Sequence, residues 1–302
     1  MTEWVIEVIK GEGVVRNRRR ALAMLGVTML APSALRAQQV QQSAGPYVPT
    51  PSEIVEEMLK LAGVRADDFV VDLGSGDGRI VITAALRYGA RGFGVDIDPK
   101  LVQLANDNAT KAGVADRVRF EQRDLFQTAL NEATVLTLYL LPRFVVQLVP
   151  KIVEEMPAGA RVVSHDYPLT PWPSDRHLTF DVAEKVNISG TARTVLFLYI
   201  VPARIGGEWR LEVPETLTQA AVRLALRRTS FRISGSATVG GVATPLEKLT
   251  VHGTQVTFAI PNLGPSRQPV QFSGTATGDT MEGTAALPAG PVSWRALRVN
   301  PS

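Results

Sequence analysis

The run Asp72-Leu73-Gly74-Ser75-Gly76-Asp77-Gly78 follows the apolar stretch Phe69-Val70-Val71, the pattern of a buried strand that enters a glycine-rich turn and opens a helix. Glycines at such a turn let the main chain approach a ligand closely, and the helix beyond offers unpaired N–H groups and a positive dipole end. The spacing is G-x-G-x-G, with Arg79 where the dinucleotide fingerprint has its third glycine. Asp72 stands directly before the loop, where it repels a pyrophosphate and attracts an ammonium or amide donors. Two further apolar runs end in acids. Gly92-Phe93-Gly94-Val95 leads to Asp96, a carboxylate able to accept hydrogen bonds from two ribose hydroxyls. Val118-Arg119-Phe120-Glu121 leads to Asp124-Leu125, suited to an adenine amino group and an apolar contact on its ring.

Three acidic strand ends around one glycine loop suit a cofactor with a cationic amino-acid end, a ribose and an adenine, and no phosphate. S-adenosyl-L-methionine has that composition. The arrangement resembles the class I, seven-strand methyltransferases. That resemblance implies that Gly74, Ser75 and Gly76 line the methionine portion, Asp96 the ribose and Asp124 the adenine; Asp72 and Leu125 complete the expected cofactor contacts.

Hydrophobic period supplies the elements that must hold these ends. Strands at 69–73, 92–96 and 117–121 alternate with helices at 78–88 and 99–112, and strand 134–140, helix 143–155 and strand 160–166 continue the doubly wound, Rossmann-like α/β pattern. The runs 178–186 and 193–202 read as a terminal antiparallel hairpin. Ahead of the first strand, Thr50 is expected to cap and Pro51 to open an amphipathic helix with Ile54, Val55, Met58, Leu59 and Leu61 on its apolar side. From Gly206 onward short runs such as Val222-Arg223-Leu224, Val256-Thr257-Phe258 and Val270-Gln271-Phe272 alternate with period 2 between turn residues. They predict a small all-β barrel or sandwich whose core Trp209 and Trp294 close. The expected organisation is a leader at 1–37, a cofactor domain at 38–204 and a β-rich domain at 205–302.

The leader combines Arg16, Arg18, Arg19 and Arg20 with the apolar run 21–31, too short to span a bilayer, and the small residues of Pro32-Ser33-Ala34-Leu35-Arg36-Ala37. It resembles a twin-arginine export signal cleaved after Ala37, followed by a Gln/Ser/Gly linker at 38–45; a mis-called start would instead leave the protein in the cytoplasm. Residues 1–37 carry six Lys/Arg and three Asp/Glu, a surplus equal to the whole-chain net charge of +3. The mature chain is therefore neutral, and the basic pI gives no support to a nucleic-acid partner. With no cysteine and only His165, His177 and His252, scattered along the chain, no metal site is expected.

A closer resemblance rests on Tyr47-Val48-Pro49, the uninterrupted run from Asp72 to Ile82, the helix after Leu141-Pro142, and Arg161-Val162-Val163 followed by Tyr167-Pro168 and Trp172. These segments resemble the lysine methyltransferase family that modifies the ATP synthase c-subunit, and less closely the seven-strand histone lysine methyltransferases. The resemblance implies a protein-lysine substrate. A lysine nucleophile must first lose its proton, which an apolar pocket favours; Tyr139, and Tyr167 with Trp172, are the candidates for lining that channel, and an aromatic face can hold an ammonium. Methylation of a small molecule is the alternative, with His165-Asp166 as its base. A second alternative is an exported binding protein that has kept the fold, its β domain contacting an envelope partner. The leader makes one prediction: amino-terminal sequencing of protein from its native host should find a chain beginning near Gln38, and recovery of intact Met1 chains from the cytosol would overturn export.

Overall fold

The computed structural model describes residues 47–229, 232–264 and 268–300; the expected leader and linker lie outside them. Helix α1 (Ser52–Ala62) leads into β1 (Phe69–Leu73), α2 (Arg79–Tyr88), β2 (Arg91–Asp96), α3 (Pro99–Lys111) and β3 (Val118–Gln122). Next come β4 (Val135–Leu138), α4 (Pro142–Glu155), β5 (Arg161–His165), β6 (Arg176–Asp181), α5 (Ala183–Ser189) and β7 (Arg193–Ile200). The seven strands pair in the order β3-β2-β1-β4-β5-β7-β6, with β1 to β5 parallel and β7 antiparallel to both neighbours. After β3 the chain returns to the other side of β1, so the sheet has its switch point between β1 and β4. A crevice opens there at the carboxyl ends of the strands.

Both faces of the central strands β1, β2, β4 and β5 are buried, which explains their nearly continuous apolar runs. On one face Ile54, Val55, Met58 and Leu59 of α1 and Ile80 of α2 pack on Val70, Val135, Val163 and Leu196. On the other, Phe144, Val145, Leu148 and Ile152 of α4 pack on Val71, Leu73, Leu136, Leu138 and Val162. Two local expectations are corrected. Thr50 does not cap α1: Pro51 holds the cap position without a side-chain bond, and the Thr50 carbonyl instead accepts from the Arg79 guanidinium at 2.8 Å. The second half of the run 178–186 is not strand. β6 stops at Asp181 and the chain turns into α5, which the helix formers Ala183, Glu184 and Lys185 open after the buried Val182 and which Gly190, at φ +78°, ends.

The following strands are β8 (Gly207–Glu212), β9 (Val222–Thr229), β10 (Arg232–Val239), β11 (Val242–Pro245), β12 (Glu247–His252), β13 (Gln255–Ile260), β14 (Val270–Thr277), β15 (Thr280–Ala286) and β16 (Val292–Arg298). They form one antiparallel sheet ordered β11-β10-β9-β8-β16-β15-β14-β13-β12. Its two edge strands are consecutive in sequence, separated only by Leu246, whose N–H donates to the Gly235 carbonyl of the β9–β10 hairpin at 2.9 Å. Residues 242–252 thus behave as one bent strand that pairs first with β10 and then with β13, and the sheet is a nearly closed barrel. Side chains fill it. Phe258 and Phe272 stack at 4.8 Å, Trp294 meets both edge-on, and Trp209 is fully buried beside them, as expected of a small barrel.

The barrel attaches to the α/β sheet through the β12–β13 turn. The Gly253 carbonyl accepts from Ala203 N–H at 2.7 Å, and His252 Nε2 lies 3.0 Å from Asp175 Oδ1. These contacts sit at the start of β5 and the end of β7, the end of the sheet remote from the glycine loop. The same end holds a buried ion pair. Asp68 pairs with Arg161 and accepts from Thr134 Oγ1 and Arg65 N–H, both at 2.7 Å, while Arg161 also donates to the carbonyls of Ala62, Gly63 and Thr134. Burial alone would raise the Asp68 carboxyl, but the bonds from Thr134, Arg161 and Arg65 outweigh it and hold the group below the usual carboxylate range. A carboxylate depressed in the folded state stabilises above its unfolded pKa and loses that contribution as pH falls through its folded one. Asp68→Ala should therefore cost about 3–5 kcal/mol in urea unfolding at neutral pH, since it strands Arg161. The wild-type advantage should shrink below about pH 4.

Candidate active site

The glycine loop is turned back onto β2. Gly74 and Ser75 both donate their N–H groups to the Val95 carbonyl, at 2.8 and 2.9 Å, and Gly76 donates to Asp96 Oδ2 at 3.0 Å. The G-x-G-x-G spacing has a packing cause. Gly78 has φ +82°, and a Cβ on it would come within 2.6 Å of the Phe120 ring and 3.0 Å of Ala105, so a side chain there would push α2 off β3 and α3. Arg79, which stands where the dinucleotide pattern has glycine, forms a forked pair with Asp77 at 2.6–3.1 Å.

Asp72 ends β1 inside the sheet. Among the described residues its carboxyl has one hydrogen bond, at 2.7 Å, from Thr137 Oγ1 on β4. Burial pushes its carboxyl up to about 7; the neighbouring Asp96 and Asp77 carboxylates add to the rise and the Thr137 bond opposes it. Ser75 Oγ, also buried, has no hydrogen-bond partner among the described residues. Asp96 braces both sides of the β2 tip, with Oδ2 on Gly76 and Oδ1 accepting from Asp98 N–H at 3.0 Å. Asp124 acts as a cap: it accepts from Phe126 N–H at 2.8 Å and from Gln127 Nε2 at 3.4 Å, starting the single turn Leu125–Gln127. Leu125 is half-buried against the core under α4.

A second group lies beyond β4 and β5. Tyr139 stacks on His165 with ring centroids 3.9 Å apart. His165 is fully buried; its Nε2 lies 3.5 Å from Asp166 Oδ1, and neither nitrogen has a hydrogen-bond partner among the described residues. Burial drives its pKa down to about 4, aided by the Lys185 charge and opposed by Asp166. Burial likewise pushes the Tyr139 hydroxyl up to about 12, with Asp166 and Tyr167 contributing. Asp166 itself has φ +62°, and the buried Lys185 ammonium clamps it, 2.7–2.8 Å from its two oxygens and 2.5 Å from the Arg193 carbonyl. Tyr167 is half-buried, and its carbonyl accepts from Ser164 Oγ at 2.5 Å. Trp172 is buried in the core, 5.0 Å from Tyr199, rather than facing the crevice.

Several of these roles had no separate sequence signal. Thr137 could have been found, since it lies two residues before Tyr139 on the same strand face and pairs with Asp72 in register. Lys185, amid Val182-Ala183-Glu184 and Val186-Asn187, has the look of an exposed helix residue. Tyr47 lies on the glycine loop, where a Cβ on Gly76 would come within 2.5 Å of its ring.

Residues 72–176 match the family described as ANTKMT methyltransferase domain. The chain is 42% identical over 128 residues to a protein-lysine N-methyltransferase of Saccharolobus islandicus strain REY15A, covering 42% of this chain and 80% of that one. The chain belongs to the protein-lysine N-methyltransferase family. It is also 32% identical over 163 residues to the ATP synthase c-subunit lysine N-methyltransferase of Xenopus laevis, covering 54% of this chain and 69% of the frog protein. The adenine nucleotide translocase lysine N-methyltransferase of Mus musculus is 40% identical over 128 residues, and the chain spans 55% of that relative's length. Among solved structures, an RNA methyltransferase from Salinibacter ruber, crystallised with S-adenosyl-L-homocysteine, is 48% identical with a TM-score of 0.47, covering 52% of this chain and 96% of that one.

Membership of this methyltransferase family implies S-adenosyl-L-methionine as cofactor, and the loop fits it. A buried carboxylate with one partner and an unpartnered hydroxyl suit the ammonium and polar atoms of an amino-acid end. Asp72, Gly74, Ser75, Gly76 and Asp96 would hold it. Ionising Asp72 makes the free protein less stable as pH rises from the ordinary carboxylate range to about 7, because its folded pKa lies above its unfolded one, and the loss is complete above about 7. A cationic ligand favours that ionised form. Titration calorimetry should accordingly show affinity for S-adenosyl-L-homocysteine falling about eightfold from pH 7.5 to pH 6, and Asp72→Asn should bind weakly with a flat pH profile.

Proposed function

We propose that this methyltransferase moves the methyl group of S-adenosyl-L-methionine to the side-chain amine of a lysine in a protein substrate. The geometry that supports it best is the neighbourhood of Asp72 and the Tyr139–His165 pair. Asp72 pairs in register with Thr137, Tyr139 follows on the same face, and adjacent strands lie about 5 Å apart. A donor held at the loop and an amine held at Tyr139 are thus close enough to meet in the crevice.

The cofactor brings an activated methyl on a sulfonium; the chain has to deliver a neutral amine to it and keep water out. The Tyr139 ring face can receive the incoming ammonium. The half-buried Tyr167 lies near Tyr139 and adds apolar surface there, which favours loss of the lysine proton. His165, kept neutral by burial, adds no charge to repel the lysine. Lys185 neutralises Asp166, so that carboxylate does not trap the substrate as an ammonium. Hydroxyl methylation of a small molecule is less well served, because the one base offered by the sequence, His165, is buried beneath Tyr139. The frog and mouse relatives are named for methylating lysine in the ATP synthase c-subunit and the adenine nucleotide translocase, which supports a protein acceptor.

In this reading residues 38–204 carry the chemistry and 205–302 meet the partner, in keeping with a barrel fixed at the opposite end of the sheet from the loop. Export through the arginine-led leader, with an envelope partner, belongs to the same reading. Incubation with methyl-labelled cofactor and host protein, followed by acid hydrolysis, should recover label as methyl-lysine. Tyr139→Ala should lower kcat/KM about tenfold with affinity for S-adenosyl-L-homocysteine kept within about twofold. Label found in RNA or small molecules instead of protein would sink the proposal.

A further inference from the structure

The segment before α1 is strapped across the glycine loop. Arg79, pinned by Asp77, reaches back to the Thr50 carbonyl at 2.8 Å, and Thr50 and Pro51 are buried beneath the strap. The Tyr47 hydroxyl lies beside the same Asp77 and Arg79, and burial together with the Asp77 charge raises it above its usual range; its ring rests on the α-carbon of Gly76, at φ +54°. Yet Tyr47 remains 45% exposed. A large ring resting on a ligand loop, beside the Asp77–Arg79 pair and with a face left in solvent, has surface that packing among the described residues does not use.

We propose that Tyr47 forms the wall of the sulfonium end of the cofactor site, with its free ring face against the cationic sulfur and the Asp77–Arg79 pair holding the ring in place. The inference rests on the S-adenosyl-L-methionine reading above. It extends the site beyond residues 72–176 to a residue ahead of α1. A ring face attracts a desolvated cation, whereas a neutral thioether gains only contact. Tyr47 therefore distinguishes the charged methyl donor from the spent product. The wall favours loading and, once the methyl has left and the charge with it, release.

Calorimetric titration of wild type, Tyr47→Leu and Tyr47→Phe with S-adenosyl-L-methionine and with S-adenosyl-L-homocysteine tests this without turnover, with melting temperatures to confirm that each variant is folded. Tyr47→Leu should weaken S-adenosyl-L-methionine about tenfold and S-adenosyl-L-homocysteine about twofold or less. Tyr47→Phe, which keeps the ring, should keep the wild-type ratio between the two ligands. Unchanged affinities in Tyr47→Leu, an equal loss for both ligands, or a ratio lost in Tyr47→Phe would each overturn the assignment. If wild type binds neither ligand, the underlying cofactor reading fails first.

Discussion

A single carbonyl, that of Val95, accepts the N–H groups of both Gly74 and Ser75. That pair of hydrogen bonds ties the exit of β1 to β2 and fixes where the loop can go. With the loop folded back, Gly76 faces Asp96, Gly78 nests on Phe120, and α2 starts at the one angle that lets Ile80 reach the core shared with α1. The acidic strand ends come together because the loop is closed, not because acids attract one another. Asp96 in fact adds to the cost of ionising Asp72.

The two ends of the α/β sheet spend their polar groups in opposite ways. At the end where β5 starts, Asp68, Arg161, Thr134 and Arg65 satisfy one another, and the barrel adds Ala203 to Gly253 and Asp175 to His252. At the loop end, among the described residues, the Asp72 carboxyl has one hydrogen bond, Ser75 Oγ has none, and neither His165 nitrogen has one. Buried polar groups without partners are destabilising and are kept at sites whose partners arrive from outside. The stability of one end therefore carries the incompleteness of the other.

How much was legible in the sequence follows from what each signal encodes. Strand and helix periods located β1 to β5 and their helices closely, because two buried sheet faces leave strong apolar runs. The period also predicted the β-rich second half, with Trp209 and Trp294 in its core. Its reading failed at 182–186, where a short helix buries Val182 and Lys185 and leaves Val186 exposed, so the apolar types there do not mark a strand. The acids at strand ends were visible as types, but their engagements were not: that Asp124 caps a turn and Asp96 braces Gly76 depends on local backbone geometry. Tyr139 and His165 were seen as separate candidates, and their stacking needed the register of β4 on β5. The clamp of Lys185 on Asp166 joins residues that no periodic pattern links.

The pairing of β8 with β16 has a consequence for the order in which the molecule can be built. The α/β sheet is complete once the chain has been made as far as Ile200, whereas the barrel cannot close until Arg298 is available to lie beside Trp209. Contacts between such distant positions form slowly, and units nearer the amino terminus fold first during synthesis. The crevice is thus assembled while the barrel is still an open row of strand edges. A newly made chain passes through a stage in which its vulnerable part is the half that carries none of the proposed chemistry.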